Sequence, residues 1–446
     1  MKLSRGARAG IAAAVAVVGG ALLFATAAPT SLVNVPVYSV DKQMMSDLGG
    51  EVTPPLSSFY DVGNWQPGTP GTLVRAEPIS GAPAGMKLYR ILYQSTDLAG
   101  HSLPVTGIYA APSGDPPPGG YPLVAYAHGT MGVGQSCGMS QAPTEPKNPG
   151  HTNFVVHVEP LVEHGYAVVA SDFSGEGAPG PSSYLVGPLE GRGVLDSMRA
   201  VINPSAQIGS IPINQNQLGI YGKSQGGEAA LSAMQLAPSY APELKIAGGV
   251  ALAPGLTPAL QGVLNAVASN PTSTAQNMFV LLIAKSFAAN YPQYTNLDEI
   301  LSDKGKEYMA LLDKYCGEDL AKRVVDVPLS QLLKTPVASG LVTGLGVAMP
   351  GSQPIEMPSL IMQGLKDKTI LPQFTHAEVM SSCAVGNTVM YVRFPYEDHS
   401  TLNYRSRTGP WSWFDWMEAR WAGEPAPNNC ANQLLGTVTT ASGVAQ

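Results

Sequence analysis

Three residues could together carry out nucleophilic acyl transfer: Ser224, Asp367 and His399, met in that order along the chain. A serine hydroxyl is a poor nucleophile at neutral pH. It needs a base to take its proton and an acid to orient that base. Ser224 lies in Gly222-Lys223-Ser224-Gln225-Gly226, a match to G-x-S-x-G. Leu218, Ile220 and Tyr221 before it suit a central strand, and Gly227-Glu228-Ala229-Ala230-Leu231 after it begins a helix-forming run. Strand, sharp turn and helix is the setting in which this motif lifts a serine hydroxyl above a sheet edge. The flanking glycines leave space that a side chain would fill. The helix N-terminus favours negative charge, and the Gln225 N–H is expected to bind the oxyanion. A phosphate-binding loop would need a glycine five residues before Gly222-Lys223, where Gln217 stands.

Asp367 follows the apolar run Ser359–Gln363 through Gly364-Leu365-Lys366, and His399 follows the run Val389–Phe394. Both are therefore expected at strand ends. Of seven histidines only His376 and His399 lie after Asp367. His376 falls in a predicted helix over 373–382 and reads as a packing residue. Glu397 and Asp398 are rival acids, but residues adjacent to a base rarely point at it. His128-Gly129-Thr130 ends another strand, Leu123–Ala127. A backbone N–H there, from Thr130 or alternatively Gly129, is expected to complete the oxyanion site. His128 reads as fixing that loop and Asp172 as a loop-bracing carboxylate. The chemistry is ester hydrolysis through an acyl-enzyme. It requires no metal or cofactor, and no H-E-x-x-H occurs.

Short apolar runs alternate with helical stretches at 153–165, 189–202 and after Ser224. This predicts an α/β fold, a mostly parallel sheet covered on both faces, with ligands at the carboxyl ends of the strands. A hairpin over Leu88–Tyr93 and Val105–Ala110 precedes it. The alternation stops near Pro254 and resumes near Pro358, with helices expected over Leu260–Ala268, Thr274–Ala289 and Lys304–Tyr315. The expected organisation is an arm over 28–85, a core over 86–254, an inserted helical cap over 255–355, and the rest of the core with a tail over 356–446. The run Phe279–Ala284 reads as cap packing in preference to a lipid pocket. Trp411–Trp421 reads as a closing helix packed on the sheet.

Net charge is −7 and no basic run occurs, which speaks against nucleic acid. Residues 1–27 read as a secretory signal: Lys2, Arg5 and Arg8, the apolar run Ile11–Phe24, then Ala25-Thr26-Ala27. An uncleaved anchor is the alternative. The expected location is extracellular or in the cell envelope, as a monomer acting on small-molecule or lipid esters with transient contact to lipid interfaces. Cys137, Cys316, Cys383 and Cys430 have no metal-site spacing. In an exported chain they suggest two disulfides, with three pairings open.

Together these motifs resemble the secretory lipase family, exported yeast and actinobacterial triacylglycerol lipases of the α/β-hydrolase fold. The resemblance rests on Pro70-Gly71-Thr72, Ala127-His128-Gly129-Thr130 followed by Cys137, Tyr221–Gly227, the helical insertion, Asp367 and His399. It implies a cap over an acyl tunnel and pairing of Cys137 with Cys316 and of Cys383 with Cys430. Lys223 departs from the aromatic or histidine common before a lipase nucleophile. Short-chain esterase, amide or peptide hydrolase, and a non-catalytic binding protein on the same fold are the alternatives.

Overall fold

The computed structural model describes residues 56–203, 208, 211–255, 274, 276–334, 344, 346, 348, 350, 353–409 and 411–434. The signal segment 1–27, the first half of the arm, the helix expected over Leu260–Ala268 and the end of the tail lie outside these residues.

Nine strands form one sheet: β1 (Leu73–Pro78), β2 (Met86–Thr96), β3 (Ser102–Pro112), β4 (Tyr121–Ala127), β5 (Ala167–Ser171), β6 (Ile213–Lys223), β7 (Ile246–Leu252), β8 (Ser359–Gly364) and β9 (Val389–Phe394). Their spatial order is β1-β2-β3-β5-β4-β6-β7-β8-β9. The first three strands run antiparallel to their neighbours, and β5, β4, β6, β7, β8 and β9 are mutually parallel. Parallel strands need helical crossovers, so both faces become covered. On one face Leu123, Ala125, Leu218 and Ile220 pack against α1 (Gly187–Ile202), α2 (Gln225–Tyr240) and α4 (Pro372–Ala384). On the other, Val124, Tyr126 and Tyr221 meet the helical segment from His151 to Glu163 and α5 (Trp413–Trp421). Trp413 stacks on Tyr221 with ring centroids 4.3 Å apart, so the aromatic closing segment packs on the sheet as its spacing suggests.

Two expectations need correction. The arm is not irregular throughout, because β1 lies within it and pairs antiparallel with β2. Its side chains are half-buried or exposed, so the strand carries no apolar alternation to betray it. The helix expected over Lys304–Tyr315 stops at Met309. Turns carry the chain from there to Cys316, which is bonded to Cys137.

Between β7 and β8 the described residues are helical. The longest of these helices is α3 (Asn277–Asn290), and four shorter ones follow, Leu297–Ile300, Asp303–Met309, Gly317–Arg323 and Leu329–Leu332. They share a core of their own, including Leu281, Leu282, Phe287, Leu312 and Leu332. The second disulfide joins Cys383 to Cys430.

Candidate active site

β6 runs directly into Ser224, which has φ 60° and ψ −119° and caps α2. A left-handed serine costs about 1–3 kcal/mol and persists only where the surroundings impose it. Here the Ser224 N–H donates to the Leu252 carbonyl at 2.9 Å, and the Ser224 carbonyl accepts from Gly227, Glu228 and Gly255. A Cβ on Gly222 would collide with the Gly226 carbonyl, and one on Gly226 with the Ala127 carbonyl. The two glycines are thus fixed by close backbone approach between the turn and the neighbouring strand.

Asp367 and His399 follow β8 and β9. The His399 ring nitrogen Nδ1 lies 2.7 Å from Asp367 Oδ2. Both are buried. Asp367 Oδ1 accepts from the N–H groups of Thr369 and Ile370 at 2.8 Å each, and Gln363 Nε2 donates to Oδ2 at 3.1 Å. The carboxylate is therefore satisfied on both oxygens, and His399 is held with Nδ1 as its donor. Asp398, the adjacent rival, spends its Oδ1 on the N–H groups of Ser400 and Thr401. His376 sits in α4 beside Tyr391, with ring centroids 6.2 Å apart. Ser224, His399, Gly129, Thr130, Lys223 and Phe279 all line one cavity of about 40 Å³.

The loop after β4 is tightly braced. The Gly129 N–H donates to Asn153 Oδ1 at 3.1 Å, which removes it as an oxyanion donor. The Thr130 N–H has no such partner among the described residues. The Thr130 hydroxyl meets the Tyr184 hydroxyl at 3.0 Å. Gln225 opens α2, where a first-turn N–H has no carbonyl four residues back within the helix. His128 is fully buried with Nδ1 2.8 Å from the Gly129 carbonyl, and burial pushes its pKa down to about 4. It is a neutral brace. Asp172 accepts from Thr106 Oγ1, Ser140 N and Ser140 Oγ, which ties the loop after β5 to β3 and to the turn after Cys137.

Of the apolar run Phe279–Ala284 only Phe279 reaches the cavity, and Val280 to Ala284 are buried. Asn153, Tyr184 and Gln363 escaped the sequence reading. Asn153 and Tyr184 come from segments remote from the loop they brace, Gln363 lies only four residues before Asp367, and no local motif marks any of them.

The profile of the family described as "Secretory lipase" matches residues 152–429, more than half the chain. A Mycobacterium tuberculosis protein described as a "probable inactive lipase" is 26% identical over 416 residues, covering 88% of each chain. Lipase A of Arthroderma benhamiae is 26% identical over 392 residues, covering 83% of this chain and 77% of its own. Candida antarctica lipase A in its closed state superposes with a TM-score of 0.65 at 18% identity, covering 88% of this chain and 99% of that one. The last likeness establishes the α/β-hydrolase fold. The chain belongs to the secretory lipase family and is an extracellular carboxylic ester hydrolase of lipase type.

Proposed function

We propose that Ser224, His399 and Asp367 form the catalytic triad, with the Thr130 and Gln225 N–H groups as the oxyanion site. The observation that carries this is the buried His399–Asp367 hydrogen bond of 2.7 Å, opening on the same cavity as the left-handed serine at the end of β6. Ser224 Oγ attacks the ester carbonyl carbon while its proton passes to His399 Nε2. Asp367 accepts the Nδ1–H and stabilises the imidazolium. The carbonyl oxygen becomes an oxyanion between Thr130 and Gln225. The C–O bond to the alcohol breaks, and the alkoxide leaves with the His399 proton. Water then attacks the acyl-enzyme, gives its proton to His399, and Ser224 departs as the hydroxyl.

The substrate class is inferred from the helices described between β7 and β8, α3 above all, acting as a cap. A cavity of about 40 Å³ is far below the roughly 300–1,000 Å³ of a ligand pocket. Phe279 from α3 forms part of its wall. Acylglycerols are the proposed substrates, taken by a monomer at a lipid interface after cleavage of residues 1–27. Short-chain esters and amides are the alternatives. The relative described as inactive raises the non-catalytic reading as well, against which stands the complete Ser224, His399 and Asp367 set in this chain.

The test is hydrolysis of a p-nitrophenyl ester series from short to long acyl chains, with wild type beside Ser224→Ala. Serine-dependent turnover favouring long chains is expected, with Ser224→Ala down by about a millionfold. Turnover retained in Ser224→Ala would sink the triad, and turnover confined to short chains would make this an esterase.

A further inference from the structure

Beneath the serine turn lie two glutamates that the triad chemistry does not use. Glu190 is on the first turn of α1 and Glu228 on the first turn of α2. Both are completely buried. The two carboxyl groups interact at close range, and each leaves its buried Oε2 without any donor among the described residues. A bond between two carboxyl groups needs a proton, since two carboxylates at that distance repel. A pair that shares one proton carries one negative charge.

The rest of the pair's contacts lead to the oxyanion site. Glu190 Oε1 accepts from Gln225 Nε2 at 2.7 Å and from the Leu185 N–H at 3.1 Å. Gln225 is one proposed oxyanion donor. Leu185 stands in the left-handed region, at φ 55°, which a branched side chain disfavours. The residue before it, Tyr184, puts its hydroxyl 3.0 Å from Thr130 Oγ1. Thr130 is the other proposed donor. A single carboxylate oxygen thus anchors both halves of the site, one directly and one through two adjacent residues in a strained turn. Glu228 completes the arrangement by accepting from Ser232 Oγ at 2.8 Å. The space is cut to fit: a Cβ on Gly187 would collide with Glu228 Oε1 and Ser232 Oγ.

We propose that Glu190 and Glu228, as a proton-sharing pair, are positioning residues for the oxyanion site. Loss of the shared proton at high pH sets two charges against each other beneath the serine turn and moves Gln225 and Thr130 off the oxyanion. The proposal rests on the triad reading above. It adds that the alkaline limit of the activity belongs to this pair.

The surroundings agree with that assignment. Burial raises both carboxyl groups, and for Glu190 the charge of Glu228 raises it further. Among the described residues, the titratable groups facing the pair are Tyr184 from the segment before α1 and Tyr291 after α3, and behind them Glu176 acts on Tyr184 and Arg192 on Tyr291. Burial raises both tyrosines, Tyr291 to about 12, so they stay neutral. Glu176 is itself raised by burial and by the charge of Asp172. Arg192 is engaged by the Asp97 carbonyl and Thr96 Oγ1. The sign is then fixed. Below the pair's upper titration at least one proton lies between the two carboxyl groups and the site is held. Above it the pair carries two charges and kcat falls. The acid limb is separate, because it comes from protonation of His399.

The experiment measures kcat and KM for p-nitrophenyl butyrate by pH-stat from mildly acidic to alkaline pH, on the full chain. The variants are Glu228→Ala, Glu228→Gln and Ser224→Ala. In Glu228→Gln an amide N–H replaces the shared proton and cannot be titrated away. Glu228→Ala should lower kcat about ten- to a hundredfold with little change in KM, a part of the loss seen when an oxyanion donor is deleted. Glu228→Gln should recover most of that loss and should lack the alkaline fall seen in wild type. If Glu228→Ala does not fold, the profile of Glu228→Gln decides alone. An alkaline limb identical in wild type and Glu228→Gln, or an unchanged kcat in Glu228→Ala, overturns the proposal while Ser224-dependent turnover leaves the triad standing. Turnover that survives Ser224→Ala overturns the triad reading itself.

Discussion

Asp367 places two of its acceptors on backbone N–H groups and offers Oδ2 to His399 and Gln363. This division has a consequence for the histidine. With Nδ1–H donating to Asp367, Nε2 carries the lone pair that the serine proton needs. Asp367→Asn would present an amide N–H to Nδ1 and favour the other tautomer. It should lower kcat about ten-thousandfold with little effect on KM or on the melting temperature. Steady-state kinetics with a thermal melt check this, and a loss below tenfold would take the base-orienting role away from Asp367. Gln363 belongs to the same argument. Its Oε1 accepts from Thr375 while its Nε2 donates to Asp367 Oδ2, so β8 and α4 jointly hold the carboxylate.

At the scale of elements, the oxyanion loop and the helical insertion are one mechanical unit. Cys137 on the loop after β4 is bonded to Cys316 of the insertion, 179 residues away. The Gly317 N–H also donates to the Met131 carbonyl at 2.6 Å. A crosslink that closes so long a loop removes much of the freedom of the unfolded chain, worth about 2–5 kcal/mol. The double variant Cys137→Ser, Cys316→Ser should lower the unfolding free energy by that amount, read as a fall in the denaturant midpoint. It should also lower kcat, because Thr130 lies on the loop that the bond pins. An unchanged midpoint would mean that helix packing alone holds the insertion in place. The disulfide Cys383–Cys430 ties the C-terminal segment to α4 and closes a shorter loop, with a separation of 47 residues.

Taken as a whole, the described part of the molecule buries several carboxyl groups deeply enough to raise them, and this shapes its stability. Burial raises Glu378 to about 7, with no offsetting partner among the described residues, and Asp196 to about 6 despite its bonds to Tyr240, Ser95 and Arg199. A raised acid keeps its proton in the folded state where the unfolded chain has released it. Its contribution is therefore fully present below the unfolded value and is lost as pH rises to the folded one. For Glu378 that window runs from 4.5 to about 7, and the loss is about 3 kcal/mol at most. Buried neutral His128 and His157 act oppositely, losing stability as pH falls. The clean readout is thus a difference. Glu378→Gln should melt progressively higher than wild type as pH rises from 5 to 8, by up to about 3 kcal/mol of stability. A gap that does not change with pH would show that Glu378 is solvated in the folded protein.

Much of the proposed site was readable before any fold was known. Ser224 sits in a contiguous motif whose strand, turn and helix are all local, and Asp367 and His399 each follow an apolar run that can only be a buried strand. The same local logic marks the alternation of strands and helices, hence the parallel sheet. The amino-acid order alone also carries the family motifs and the four cysteines. Tertiary structure decided the rest, because it depends on which remote segments the crossovers bring together. The β4–β6 pairing sets the loop after β4 beside Ser224, and there Asn153 takes the Gly129 N–H, which favours Thr130 as the proposed oxyanion donor. Packing of α1 on α2 brings Glu190 to Glu228 under the serine turn. β1 becomes a strand only because β2 offers it an edge. Apart from the neighbouring strands β1 and β2, these partners are remote from each other in sequence, and a contact between distant segments leaves no period or spacing along the chain.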